Sequence, residues 1–366
     1  MVGYLVYLTI SAATYGIFCL GLNLQWGFTG LINFGHVAFL AIGAYTTVLL
    51  SNQGVPLLLA LAAGAGGAAC LGLFIGISTL RLREDYLAIV TIGVSELVRL
   101  IALNEEWLTQ GSFGIQRYPL PLGTFRPNPV EKFGLILCLV AIGVFAAWQL
   151  WRGLRWHWKQ LKKQGKSGTE AIAWGVIGGG IITSLFINSL IALQNYNFKA
   201  GLMLLSILAL ALVYAGLEYL VQSPWGRILK AIREDEEIPR ALGKNVFWYK
   251  LQAFMLGGAI AGGAGSFYAW QLTNVYPSNF DPLVTFNAWT IIVLGGAGSN
   301  PGTLLGSLIF FGYDSLTRFV LPQLNLVDDT RLGALRIMVI GIILMVLMVW
   351  RPQGILGNKD ELTLGK

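Results

Sequence analysis

The sequence predicts an all-α, polytopic membrane protein, and three observations carry that expectation. The 366 residues are 55% hydrophobic and only 12% charged, with a mean hydropathy of +0.66. A water-soluble domain carries about 25% charged residues. Apolar runs of about twenty residues, long enough to cross a bilayer as a helix, recur from end to end. Many of the 46 glycines lie inside those runs. Glycine weakens a helix in water, whereas in lipid it lets two helix backbones approach closely. A membrane barrel would instead show alternating strands of about ten residues.

Eleven membrane segments are expected in chain order, at residues 4–22, 28–50, 56–80, 86–103, 133–151, 171–193, 200–221, 250–273, 284–297, 301–320 and 333–350. They make a single transmembrane domain over 1–366 with about 10–11 helices, broken or re-entrant segments included. The first run has no basic n-region and no A-x-A site, so it reads as a retained span. The second begins among Gly27, Gly30 and Gly35, and 284–297 is short and ends in Gly295, Gly296 and Gly298. Broken helices are tolerated at membrane depth only where they line a cavity or pack inside protein. Cys19, Cys70 and Cys138 all fall in apolar segments without metal spacing, and read as small core or lipid-facing residues.

Charge sets the direction of the chain. With the N-terminus outside, the inner loops 81–85, 152–170 and 223–250 and the tail 351–366 hold 17 Lys and Arg, while the outer loops 104–132, 194–199 and 321–332 hold 5. That is the positive-inside bias, and it accounts for the net charge of +7 without a nucleic-acid partner. The loop W-R-G-L-R-W-H-W-K-Q-L-K-K-Q-G-K (151–166) sets Trp151, Trp156 and Trp158 among basic residues. Between two spans, this suits an interfacial anchor to anionic membrane lipid.

The densest charge lies in A-I-R-E-D-E-E-I-P-R-A-L-G (231–243), inside the inner loop 223–250. Ile228, Leu229 and Ile232 have helical spacing, and Pro239 suits the first turn of a second helix. A short amphipathic helix pair under the membrane is expected there, as a docking surface for another protein or as a solvated face. Within the spans, Glu96 and Arg99 (i, i+3) and Asp314 and Arg318 (i, i+4) each share a helix face. Structural pairing is the expected role, with proton coupling as the alternative. Glu218 lies near the inner end of its span, within reach of water. His36 has two readings: a hydrogen-bonded structural residue in a Gly-rich break, or a group that senses protons or touches cargo. Asn33, Gly35 and Tyr45 flank it. G-G-A-G-S-N-P-G-T (295–303) lacks the Lys and the glycine spacing of a phosphate loop, and reads as a turn. No metal-ligand spacing and no nucleophile–base set is present, so neither a metal site nor an enzyme is expected.

Five stretches resemble the LivM-type permeases, the membrane subunits of ABC importers for branched-chain and other hydrophobic amino acids. They are N-L-Q-W-G-F-T-G-L-I-N-F-G-H-V-A-F-L-A-I-G-A-Y-T (23–46), L-R-L-R-E-D-Y-L-A-I-V-T-I-G-V-S-E-L-V-R-L (80–100), S-P-W-G-R-I-L-K-A-I-R-E-D-E (223–236) with A-L-G (241–243) and Y-K-L-Q-A-F (249–254), V-L-G-G-A-G-S-N-P-G-T-L-L-G (293–306) and R-P-Q-G-I-L-G (351–357). The resemblance implies an ABC importer permease bundle in a bacterial plasma (inner) membrane. It implies a sister LivH-like permease, two cytoplasmic ABC ATPase subunits that bind ATP and Mg, and a periplasmic substrate-binding protein. No cofactor is implied for this chain itself. Loop 223–250 corresponds to the family's coupling loop, which makes Arg233, Glu234, Asp235, Glu236 and Gly243 the ATPase-coupling residues, although Pro239 and Arg240 depart from the small residues usual there. Asn33, Gly35, His36 and Tyr45 are the candidates for the translocation pathway. Residues 133–198 read as a family-atypical insertion of two spans. Urea or short amides are the alternative cargo, and an ion-coupled secondary transporter is the remote alternative.

Overall fold

The computed structural model describes residues 2–81, 84–123, 125–163, 179–180, 183, 186–194, 196–323, 329–350 and 352–357. The described residues are mostly helical. The helices are α1 (Val2–Gln25), α2 (Val37–Asn52), α3 (Leu57–Thr79), α4 (Glu84–Asn104), α5 (Glu106–Thr109), α6 (Pro129–Lys163), α7 (186–194), α8 (Phe198–Gln222), α9 (Pro224–Glu234), α10 (Glu237–Ala241), α11 (Val246–Leu272), α12 (Leu283–Gly295), α13 (Asn300–Gln323) and α14 (Asp329–Trp350). Six of them are long and apolar enough to cross a membrane by length and composition: α1, α3, α4, α6, α8 and α14. The segments around α12 and α13 pass the same test together but bend by 116° at their break. Helix α2, of 16 residues, is apolar but shorter.

The chain divides into two compact units. One comprises residues 1–10 and 121–211, the other 11–120 and 212–366. In the first unit, α6 runs unbroken through 163, twelve residues past the end expected for its span. Gly153 alone does not stop it, because the surrounding Trp, Leu, Arg, Lys and Gln all sustain a helix. Arg155 stacks over the Trp151 ring at 3.4 Å. The expected segment 171–193 and the end of the basic loop lie largely outside the described residues. Tyr196, in the loop before α8, packs edge-on against Phe125, and burial raises its hydroxyl above the usual phenol range.

The second unit is organised around α2, α3 and α11, which pack backbone to backbone. A Cβ on Gly43 of α2 would fall inside the van der Waals envelope of the Gly262 carbonyl in α11, and one on Gly64 of α3 would lie 2.7 Å from the Gly43 oxygen. Glycine here removes the side chains that would hold three helices apart, as small residues do between membrane helices. Thr47 and Ser266 close the seam with a buried hydroxyl pair at 2.7 Å.

A two-stranded antiparallel ladder ties the loop after α4 to the end of α11. Strand β1 (Ile115–Gln116) pairs with β2 (Asn274–Val275), Ile115 opposite Val275. The Tyr118 hydroxyl donates to the Ala269 carbonyl, and burial raises it above the usual phenol range.

Candidate functional site

The chain between α1 and α2 leaves helical geometry at Trp26 and recovers it at Val37. A non-helical stretch in a membrane protein must satisfy its polar groups within the protein, and this one does. Asn33 Nδ2 donates to Gln25 Oε1 at 2.9 Å, and Gln25 Nε2 donates to the Phe254 carbonyl at 2.8 Å. Asn33 Oδ1 accepts the Gly35 N–H at 2.9 Å, and Trp289 Nε1 donates to the Asn33 carbonyl at 3.1 Å. The Val37 N–H finds Thr285 Oγ1 at 2.9 Å, and the Phe34 N–H finds Thr91 Oγ1 at 3.2 Å. The backbone of Gly35 runs against that of Thr91 so closely that a Cβ would overlap it.

His36 is wholly buried, with Nε2 3.2 Å from the Phe18 carbonyl and Nδ1 3.5 Å from Asn33 Nδ2. A carbonyl can only accept, so Nε2 carries the proton and Nδ1 is left as the acceptor. Both ring nitrogens are used within the fold. Asn33, Gly35 and His36 therefore sit inside the packed break. Tyr45, one helical stretch further on, is buried against Phe280, and its hydroxyl has no hydrogen-bond partner among the described residues.

The charged loop forms two short helices. Ser223 caps α9 by accepting the Gly226 N–H at 3.4 Å, with Pro224 at the first turn, where a missing N–H costs nothing. Asp235 ends α9 in an extended conformation, and its carboxylate accepts the Glu237 N–H at 2.8 Å as α10 begins. Gly243 follows at φ +74°, a left-handed turn that favours glycine. Leu229 and Ile232 face inward and are fully buried. On the other side, α9 and α10 enclose a shallow groove of about 300 Å³, lined by residues including Ile228, Ile238 and Leu242. Ile238 and Leu242 are 57% and 74% exposed.

The five expected coupling residues divide. Glu234, Asp235 and Gly243 are exposed. Arg233 turns inward, donating to the Gly27 carbonyl at 2.5 Å while pairing with Glu234 at 2.7 Å. Glu236 pairs with Lys250 of α11. Lys230 lies 5.6 Å from the Phe28 ring centroid, and the Arg233 side chain packs over Gly30. The charged helix thus rests directly on the broken segment 26–36. The sequence counts Ile238 and Leu242 among the apolar residues of the loop but assigns them no role. Their exposure is visible only once the helix pair is formed.

The second break lies between α12 and α13. Gly296 (φ +117°) and Gly298 (φ +73°) make the turn expected from 295–303. The C-terminal block seats upon it: Ile355 N–H donates to the Leu294 carbonyl at 3.1 Å and Leu356 N–H to the Gly295 carbonyl at 2.9 Å. The intrahelical pairs form as their spacing predicts, Arg99–Glu96 in two contacts at 2.9 and 2.5 Å and Arg318–Asp314 at 2.8 Å.

Comparison with known proteins agrees with the five motifs. A family model described as the branched-chain amino acid transport system permease component matches residues 4–156 and 161–348. The chain is 31% identical to the high-affinity branched-chain amino acid transport system permease protein LivM of Escherichia coli K12, over 95% of this chain and 70% of that one. It is 24% identical to a probable branched-chain amino acid transport permease protein LivM of Methanocaldococcus jannaschii, over 95% and 92%. It is likewise 24% identical to the Escherichia coli K12 permease protein LivH, over 95% and 92%. No solved structure gives a significant match. With the family model covering nearly the whole chain and both helix breaks built from its motifs, the protein belongs to the branched-chain amino acid transport system permease family.

Proposed function

We infer that this chain is the membrane-embedded permease subunit of an ATP-driven importer of branched-chain amino acids in a bacterial inner membrane. It pairs with a LivH-like permease, takes cargo from a periplasmic binding protein and is driven by two cytoplasmic ATPase subunits, which hold the ATP and Mg. The chain itself is non-catalytic. The basic end of α6 meets anionic lipid headgroups. The observation that carries the reading is the α9–α10 surface. It has a groove lined by apolar residues with Arg227 and Lys244 among them, exposed acidic residues at Glu234 and Asp235 on the same loop, and inward contacts to the broken segment through Arg233 and Lys230. A soluble subunit seated there can displace α9, and α9 bears on the break. ATP binding in the partner then biases the permease between inward- and outward-open states.

The test is purification of the tagged chain in mild detergent, followed by reconstitution into vesicles. A second permease and two Walker-motif ATPases are expected to co-purify. Vesicles loaded with ATP and given the binding protein are expected to accumulate leucine, isoleucine or valine rather than urea. The double substitution Glu234→Lys with Asp235→Lys is expected to abolish cargo-stimulated ATP hydrolysis while the chain still inserts. Transport by the chain alone, without ATP, would overturn the reading in favour of a secondary transporter.

A further inference from the structure

A polar chain, half-exposed at Glu218 and buried at Asn300 and Asn23, joins the root of the α9–α10 loop to both helix breaks. Glu218 lies in the last turns of α8. Its Oε1 accepts from Gln222 Nε2 at 2.6 Å and its Oε2 from Asn300 Nδ2 at 3.1 Å. Asn300 Oδ1 in turn accepts from Asn23 Nδ2 at 3.3 Å, and Asn23 Oδ1 accepts the Gly298 N–H at 2.9 Å. Asn23 and Asn300 are almost wholly buried, at 0% and 1% exposure. Each amide therefore uses its donor and its acceptor, and the direction of the chain is set by the one group that can only accept, the Glu218 carboxylate.

Position gives this chain its consequence. Asn23 precedes the first break, Gly298 and Asn300 form the second, and Glu218 stands six residues before the start of α9. The join between α8 and α9 is stiff. Ser223 Oγ donates to the Leu220 carbonyl at 2.6 Å, and Gly226 approaches the Val221 carbonyl too closely for any side chain. A displacement of α9 is therefore passed to the last turn of α8 and to Glu218. If Glu218 withdraws, the Asn300 amide is left unpaired where no water reaches it, which is costly. The structure holds the intact arrangement, and a transmitting element requires a second, broken one as its alternative.

We propose that Glu218 is a positioning residue that latches the cytoplasmic loop to both broken segments through Asn300 and Asn23, so that loop movement and rearrangement of the breaks occur together. The proposal rests on the importer reading and names the route by which that site acts. It adds a path separate from the Arg233 contact with Gly27.

The test uses the assembled importer in vesicles and measures cargo moved per ATP hydrolysed. Glu218→Ala is expected to lower that ratio at least fivefold with assembly and basal hydrolysis retained. Asn300→Asp, which sets two carboxylates against each other, should do the same. Glu218→Gln keeps one acceptor oxygen, which can face the buried Asn300 amide while the exposed Gln222 turns its own oxygen toward the new NH2, and should stay within twofold of the parent. The double variant Glu218→Gln with Asn300→Asp restores all the hydrogen bonds with the donor and acceptor exchanged, and should recover at least half the ratio. Where Asn300→Asp does not assemble, the contrast between Glu218→Ala and Glu218→Gln carries the test. An unchanged ratio in Glu218→Ala, or failure of the double variant to improve on Asn300→Asp, overturns the latch and leaves the importer standing. Parent vesicles that take up cargo without ATP overturn both.

Discussion

Asn33 and His36 show how a single side chain can hold a helix open. The break 26–36 exposes backbone donors that no helix satisfies, and Asn33 takes one of them, the Gly35 N–H, while feeding Gln25. Asn33→Ala removes the partner of three buried groups, Gln25 Oε1, His36 Nδ1 and the Gly35 N–H. At about 1–3 kcal/mol for each such group, the loss is a large share of the roughly 5–15 kcal/mol that holds a protein folded. The variant is expected to lower the detergent melting temperature and the amount of chain recovered from the membrane. His36→Gln is a different case. Glutamine can donate to the Phe18 carbonyl and accept from Asn33, as the neutral imidazole does. If His36 is structural, His36→Gln assembles and moves cargo with the parent's pH profile between about pH 6 and 8, where a free histidine changes charge. A profile that flattens or shifts in the variant would return His36 to the proton-sensing role.

At the scale of elements, the glycine seam makes a sharp prediction, because neighbouring glycines differ in what a methyl group would meet. Gly43→Ala drives a Cβ into the backbone of α11, whereas Gly66→Ala in α3 and Gly263→Ala in α11 place theirs in open space. Overpacking typically costs about 1–3 kcal/mol, and backbone against backbone leaves no rotamer to relieve it. Gly43→Ala is expected to lower the melting temperature by several degrees, while the other two leave it level or raise it slightly through helix propensity. Equal effects at all three positions would mean that α2 and α11 do not pack at this separation. The seam also marks how far the sequence was legible. Glycine within apolar runs announced close packing, but not which glycine meets which helix, since that depends on partners more than 200 residues apart. The helix pair in 223–250 was legible from Pro239 and its apolar spacing. The inward turn of Arg233 was not, because an arginine in a charge run looks the same whether it meets water or a carbonyl. The end of α6 was misplaced because a basic, Trp-rich sequence reads as a loop by polarity and as a helix by propensity. Propensity won.

For the whole molecule, the question that ties span count to mechanism is which face carries the α9–α10 groove. The charge bias of 17 to 5 predicts that it lies inside, the side on which the proposed ATPases would sit. Three expected crossings separate the loop after α4 from that groove: α6, the segment 171–193 and α8. An odd number puts them on opposite faces, and removing the two spans of the 133–198 insertion leaves one crossing and the same parity. In a chain with Cys19, Cys70 and Cys138 replaced, Phe113→Cys and Leu242→Cys supply exposed reporters, at 78% and 74% exposure in the parent side chains. A membrane-impermeant maleimide added to intact spheroplasts is expected to label Phe113→Cys and to reach Leu242→Cys only after permeabilisation. Labelling of both from outside would mean that one of the three segments does not cross. The groove would then face away from any source of ATP, and the coupling role of α9 would fall with it. Labelling of Leu242→Cys alone would invert the whole chain against its own charge bias, which membrane insertion strongly disfavours. Parity therefore bears on the proposed mechanism: the proposed latch, the groove and the breaks can work in sequence only if the groove lies on the side where the proposed ATPases would hydrolyse ATP.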